Sequence, residues 1–100
     1  MANIGSFTKV DGGGFTGKLV TVTLNLPIDI KPIDNPSEAG PHYRVYSGPA
    51  ELGAGWIKEA KTSGNEYVSL RLDDPSFPST LFSNLYVQND GSYNLVWERR

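Results

Sequence analysis

Residues 19–31 show the most regular alternation of side chains in the chain. Every even position from 20 to 30 is aliphatic, while the odd positions from 21 carry Thr, Asn, Asp and Lys, with a proline at 27. A period of two is typical of a β-strand with one buried and one solvated face. Pro27 falls on the polar side and has no amide hydrogen to donate, which indicates an edge, a bulge or a bend. The pattern predicts one long, bent strand whose even-numbered side chains face the core.

Shorter runs rich in aromatic and β-branched residues follow the same pattern, separated by turn-forming residues. They cover residues 4–10, 43–47, 56–61, 67–73, 81–88 and 93–99. Only residues 50–61 compete as a helix, and Gly53 and Gly55 weaken that interpretation. We therefore expect an all-β fold of about seven short strands in a small antiparallel or mixed barrel or sandwich, with an OB-like barrel among the forms.

Two turn signals predict hairpins. Asp90-Gly91 precedes Tyr93 and suits a type I′ turn, which needs positive φ at both central residues, so the last two strands should pair antiparallel. Ser63-Gly64-Asn65 predicts a second hairpin between the runs at 56–61 and 67–73.

Residues 12–19, GGGFTGKL, have the spacing of a phosphate-binding loop, G-x-x-x-x-G-K. Leu19 stands where that loop needs a hydroxyl ligand for magnesium, and the sequence continues as a strand where the motif needs a helix. The segment is better interpreted as a glycine-rich hairpin turn.

Composition restricts the class of protein. One hundred residues, 38% hydrophobic and 20% charged, are typical of a single globular domain spanning 1–100. The chain has no cysteine, no apolar run long enough for a membrane span and no signal-like start, so we expect a cytoplasmic protein that does not engage a membrane. A net charge of −2 argues against general coating of DNA.

Few residues suggest catalysis. Asp73-Asp74 follows an apolar run and precedes a proline, which favours the end of a strand over a metal site, since neighbours on a strand point to opposite faces. His42 is the single histidine and is expected in a surface loop. We expect no enzymatic activity, no metal site and no cofactor.

Aromatic residues give the remaining functional signal, because several share a run with basic residues. Such side chains can stack bases and neutralise phosphates on a strand face, although large rings also fill the cores of small β domains. The candidate binding face comprises Arg44, Tyr46, Trp56, Lys58, Tyr67 and Arg71.

Several segments of the chain carry a family resemblance: residues 1–7, Tyr43-Arg44-Val45, residues 51–56, Tyr67-Val68-Ser69, residues 72–78 and residues 95–99. Together they resemble a bacterial family catalogued as a domain of unknown function, and the resemblance spans nearly the whole chain. Members of that family are short, cytoplasmic, frequent in alphaproteobacteria and often encoded beside plasmid transfer or replication genes. The resemblance implies no catalytic residue or cofactor.

Two functions fit these observations. The first is a protein-interaction or self-assembling module, with a partner protein or a second copy binding to an exposed strand edge near Pro27. The second is a module for single-stranded nucleic acid that uses the aromatic and basic strand face, in a setting associated with plasmid transfer.

Overall fold

The protein is an eight-stranded barrel in which neighbours in sequence are neighbours in space. The structure is a computed structural model that describes residues 2–34, 40–61, 64–75, 77 and 79–98. Each strand pairs antiparallel with the next, and β1 pairs with β8 to close the sheet. The strands are β1 (Ala2–Lys9), β2 (Phe15–Val20), β3 (Asn25–Pro32), β4 (Tyr43–Ser47), β5 (Ala50–Glu59), β6 (Glu66–Leu72), β7 (Leu81–Val87) and β8 (Tyr93–Glu98).

The predicted all-β class and barrel form are confirmed, with eight strands where about seven were expected. Residues 50–61 do not form a helix, since β5 covers Ala50–Glu59. Among the described residues, no helix is long and apolar enough to cross a membrane.

The prediction of one long strand over residues 19–31 was wrong. Residues 21–24 form a turn between β2 and β3, in which the Thr21 amide donates to the Leu24 carbonyl at 2.8 Å. The Leu24 amide in turn donates to Thr21 Oγ1 at 3.1 Å. These bonds satisfy backbone groups locally, so the chain reverses and its two halves pair with each other.

The turn also changes which side chains face the core. On β2 the odd-numbered Leu19 is fully buried, whereas Val20 is 49% exposed and Val22 in the turn is completely exposed. On β3 the even-numbered Ile28 and Ile30 are buried as expected. Pro27 lies on the outer side of β3, in the part that extends beyond its pairing with β4.

The glycine-rich segment after β1 is a turn, as predicted. Gly12 and Gly13 have φ values of 93° and 95°, which other residues rarely adopt, and the Val10 amide donates to the Gly14 carbonyl at 2.9 Å. β5 and β6 also pair antiparallel as predicted, although Ser63 lies outside the described residues.

The hairpin of β7 and β8 exists, but its turn is longer than the predicted type I′ turn. The Gly91 amide donates to the Gln88 carbonyl at 3.1 Å, and the Gln88 amide donates to the Ser92 carbonyl at 2.7 Å. This pattern, with φ of 87° at Gly91, is typical of a three-residue loop with a bulge. The hydroxyl and amide of Ser92 donate to Asp90 Oδ1 and lower the pKa of that carboxyl.

Inward-facing side chains fill the barrel, since an eight-stranded barrel has an interior just wide enough to be packed. Bulges on β1 and within the pairing of β4 and β5 turn Ile4 and Leu52 inward. The buried core consists of Ile4, Phe7, Phe15, Leu19, Ile28, Ile30, Val45, Leu52, Val68, Leu70, Leu72, Phe77, Leu85 and Leu95.

Inward-facing glycines make room for the bulkiest of these side chains. A Cβ atom at Gly17 would lie 2.7 Å from Cγ of Phe7 and would also meet the Ser6 carbonyl oxygen. The Phe7 ring therefore occupies the space that a side chain at position 17 would need.

We expect Gly17→Ala to lower the free energy of unfolding by about 1–3 kcal/mol, because the added methyl group overpacks the interior. Urea denaturation measures the loss. Ser6→Ala is the control, because it alters an exposed side chain on the neighbouring strand. Equal unfolding midpoints for the two variants would contradict the packing of Phe7 over Gly17.

Candidate functional site

The six residues of the predicted binding face all point away from the barrel interior. Side chains alternate along a strand, and the buried Val45 and Leu70 fix the phase of β4 and β6. On β5, Gly53 and Gly55 pair with Leu72 and Leu70 and so face inward, which turns Trp56 outward. The outward residues are Arg44 and Tyr46 on β4, Trp56 and Lys58 on β5, and Tyr67 and Arg71 on β6.

β5 has glycines at inward positions and its largest side chain at an outward position, which favours a surface function. Its inward positions 53 and 55 are glycines, so this strand adds little volume to the core there. Its largest side chain, Trp56, lies outside and is only half-buried. A strand serving only the core would be expected to carry its largest side chain inside.

Residues that are directly opposite in an antiparallel pair share a face, so the register aligns the outward residues in rows across β5, β6 and β7. The rings of Tyr67 and Tyr86 are also in contact, with centroids 5.4 Å apart, so Tyr86 continues the row that contains Lys58 and Tyr67. The first row is Lys58, Tyr67 and Tyr86; the second is Trp56, Ser69 and Asn84; the third is Ala54, Arg71 and Phe82.

Phe82 and Tyr86 are members of this surface that sequence reasoning did not select. Both are outward-facing residues of β7 and both are half-buried. Their spacing in the sequence shows that they share a face with Asn84, but only the pairing of β6 with β7 brings them beside Tyr67 and Arg71. We call the outward side chains of β4 to β7 the outer face: Arg44, Tyr46, Trp56, Lys58, Tyr67, Arg71, Phe82 and Tyr86.

Asn84 forms hydrogen bonds beneath the outer face. It is outward-facing by register yet only 7% exposed. Its Nδ2 group donates to the Tyr86 hydroxyl at 3.2 Å and to Glu98 Oε2 at 3.0 Å. Because a buried amide is costly to leave without partners, these bonds restrain the position of the Tyr86 ring.

The cations of the outer face have different surroundings. Arg44 forms an ion pair with Glu51 at 3.0 Å, and both side chains are 49% exposed. Lys31, which is opposite Arg44 in register, places its ammonium 5.6 Å from the centroid of the Tyr46 ring. Exposed pairs of this kind contribute about 0–1 kcal/mol, so a ligand can compete for these cations at little cost.

Two shallow depressions adjoin Trp56. One, of about 330 Å³, is lined by Trp56, Arg44 and Arg71, with Glu51 and Asp73 also on its wall. The other, of about 250 Å³, is lined by Trp56, Lys58, Arg71 and Phe82. The indole therefore lies between two recesses, each with a cationic wall.

The other sequence candidates have structural roles. β6 ends at Leu72, as predicted; the Asp73 amide then donates to the Leu52 carbonyl, and the Phe77 amide donates to the Asp74 carbonyl. His42 lies in the loop before β4, as predicted, and its Nδ1 accepts a hydrogen bond at 3.0 Å from the Ile57 amide. In the parts of the chain that the structure describes, no group of three or more His, Cys, Asp or Glu residues is placed to hold a metal ion.

A family model described as a protein of unknown function, DUF736, matches residues 3–100. The chain belongs to the DUF736 family. Comparison with curated proteins and with solved structures found no match. The description of DUF736 names no activity or ligand, so the function of this member has to be inferred from its surface.

Not every aromatic residue of this DUF736 chain lies on the outer face. Phe15, Tyr43 and Tyr93 form a cluster on the inner side, with the Phe15 centroid 5.8 Å from that of Tyr43 and 4.8 Å from that of Tyr93. Burial raises the pKa of the Tyr43 phenol, and its Coulombic interactions with Tyr93 and Glu66 raise it further. The aromatic residues thus divide between the core and the surface.

We expect Trp56→Ala to leave the far-UV spectrum unchanged and to lower the free energy of unfolding by only about 1–2 kcal/mol, since the indole is half-buried. Leu70→Ala, inside the barrel, should cost about 2–5 kcal/mol. Urea denaturation followed by circular dichroism compares the two. A loss for Trp56→Ala as large as that for Leu70→Ala would mean that the indole is a core residue.

The raised pKa of Tyr43 predicts a loss of stability at high pH. The folded state keeps the phenol proton to a higher pH than the unfolded state does, so the protonated phenol contributes to the free energy of unfolding. That contribution is complete below about pH 10 and is lost as pH rises through the raised pKa. Tyr43→Phe removes the contribution and should flatten the decline in thermal midpoint above pH 10. Identical profiles for wild type and variant would argue against a raised pKa.

Proposed function

We propose that the protein is a non-enzymatic binding module that holds single-stranded nucleic acid on the outer face. One observation carries the proposal: Trp56, Tyr67, Phe82 and Tyr86 lie on the same side of the sheet as Lys58 and Arg71, in adjoining rows. Aromatic rings beside cations on a strand surface are the combination that sequence-tolerant binders of single strands use.

In this mechanism, unpaired bases stack on the Trp56 indole and on the tilted rings of Tyr67 and Tyr86. Each stacked base is worth about 1–3 kcal/mol in proteins of this kind. The depressions beside Trp56 offer space for sugar and phosphate groups, and Arg71 lines both of them. A planar guanidinium there can donate two parallel hydrogen bonds to one phosphate.

A single strand suits this surface better than a duplex does. Bases in a duplex are stacked on one another and unavailable to exposed rings, whereas an unpaired strand can turn its bases toward them. With a net charge of −2, the protein lacks the broad positive field that helps bind a duplex by its phosphates alone. Affinity should therefore depend on stacking, supported by a few cations.

Acidic residues limit the strength of binding. Glu51 pairs with Arg44, and both Glu51 and Asp73 lie on the wall of the larger depression. An incoming phosphate must displace Glu51 from Arg44 or bind Arg71 and Lys58 alone. We therefore expect binding that weakens markedly as salt is added.

A protein partner or a second copy of the chain is the other candidate ligand. Tyr, Trp and Arg are also enriched at protein interfaces, so the composition of the outer face favours this function as well. Such a ligand would pack on the side chains of the outer face or add a strand near Pro27, where residues 25–28 of β3 extend beyond the pairing with β4.

The proposed ligand agrees with the setting that the family resemblance implies. Plasmid transfer and replication expose single strands in the cytoplasm of bacteria, where a module of this kind would act. Bacterial origin, cytoplasmic location and the plasmid association are parts of the proposal, as is the lack of enzymatic activity.

We expect a single-stranded oligonucleotide to quench the fluorescence of Trp56 saturably. Lys58 and Arg71 are the cations expected to contact phosphates, so the logarithm of affinity should fall with the logarithm of salt at a slope of about −1.4, at roughly −0.7 per contact. The saturable quenching should be absent in the Trp56→Ala variant. Arg71→Glu should weaken binding about tenfold or more. Fluorescence anisotropy of a labelled oligonucleotide measures both variants independently of the indole.

Lys58→Glu should weaken binding, and Lys18→Glu is its matched control. Both variants replace an outward-facing lysine by glutamate, but Lys18 lies on β2, away from the outer face. Equal losses for Lys18→Glu and Lys58→Glu would indicate a diffuse charge effect and contradict a defined surface. If no binding occurs at low salt, the nucleic-acid function is wrong, and light scattering for self-association becomes the next measurement.

A further inference from the structure

The barrel has an open end whose lining differs from that of the outer face. This end lies where the turns after β5 and β7 are found, and it holds a cavity of about 130 Å³. The volume is about four times the share of one water molecule in the liquid, so a small chemical group fits. The cavity is lined by Lys9, Phe15, Tyr43, Ile57, Glu66, Tyr67, Val68, Leu85 and Tyr93.

Aromatic rings are part of the lining of this cavity. Phe15 is a core residue, while Tyr43 and Tyr93, on β4 and β8, are half-buried and pack against it at 5.8 Å and 4.8 Å. The three rings come from strands that are far apart in sequence and meet only in the closed barrel. The faces of aromatic rings are negative and attract organic cations.

Carboxylates stand beside the rings. Glu66 lines the cavity, and Glu59 is directly opposite Glu66 in the pairing of β5 and β6. Like charges at directly opposite positions destabilise a sheet, and both carboxylates are exposed at the rim. A bound cation would remove that repulsion.

The surroundings of Tyr43 disfavour a negative charge. Burial raises the pKa of its phenol, and Coulombic interactions with Tyr93 and Glu66 add to the rise. Lys9 is the one cationic side chain among the residues lining the cavity, and it lies on β1 opposite Phe15 in register. Its ammonium opposes the carboxylates and should weaken the binding of a second cation.

We propose that this open end, which we call the aromatic mouth, binds an organic ammonium group, with Phe15, Tyr43 and Tyr93 against its methyl or methylene groups and Glu66 as its counter-ion. Hard metal cations are a poorer fit, since they require several converging oxygen ligands and gain nothing from an apolar wall. A methylated ammonium group spreads its charge over a surface that rings can contact. The site shares Tyr67 with the outer face but does not depend on the function proposed there.

Choline tests the proposal, and 3,3-dimethylbutan-1-ol is its neutral control, because the two differ in having nitrogen or carbon at the centre of the same shape. Aromatic NMR resonances of Tyr43 and Tyr93 should shift saturably with choline chloride, at a dissociation constant of about 1 mM. The neutral alcohol should bind at least about tenfold more weakly, and sodium chloride at matched concentration controls for ionic strength.

Variants then test the mouth itself. Glu66→Gln keeps the shape of an exposed side chain and should weaken choline binding several-fold, whereas Lys9→Met should tighten it. Trp56→Ala should leave the choline titration unchanged, which separates this site from the outer face. Equal shifts with choline and the neutral alcohol, no saturable shift, or no effect of Glu66→Gln would overturn the proposal.

Discussion

The antiparallel pairing of β1 with β8 is the constraint on which the rest of the structure depends, because it turns an eight-stranded sheet into a closed barrel. In a closed barrel the side chains of each strand point alternately into the interior and toward the solvent. The pairing also gives the first and last strands two neighbours each, which removes the edges that these two strands would otherwise offer to strands of other chains.

The narrow interior explains why the large rings are divided. Phe7 fits inside only because Gly17 faces it, and the inward-facing Gly55 of β5 leaves space for Leu70. Trp56 belongs to the same strand but has the opposite phase, so it lies outside with Lys58. The outer face is thus a consequence of how the core is filled, because side chains that alternate with inward glycines are placed on the surface. The aromatic mouth has a related origin, since the inward rings of Phe15, Tyr43 and Tyr93 meet where the barrel opens.

Sequence reasoning succeeded where one strand's pattern was enough. The strand ending before Asp73 and the glycine-rich turn at residues 12–14 follow from local alternation and turn chemistry. Alternation also placed Trp56 and Lys58 on one face of their strand, but only the structure shows that this face points outward. Sequence reasoning failed at residues 19–31, because Val20 and Val22 continue an even-numbered apolar pattern across a turn that hydrogen bonds between Thr21 and Leu24 stabilise. When apolar and polar residues also alternate within a turn, the pattern does not indicate where the chain reverses.

The sequence by itself determined the all-β class, the positions of most turns and which candidate residues share a face of one strand, because a period of two and the preferences of glycine, proline and aspartate act over a few residues. Apart from the two hairpins predicted from turn residues, only the tertiary structure decided which strands are neighbours and in which register they pair. That choice brought Phe82 and Tyr86 beside Tyr67 and Arg71 and placed Glu59 opposite Glu66. Contacts between strands depend on closure and register, which arise from packing over the whole chain, so neither the full outer face nor the aromatic mouth could be derived from local pattern alone.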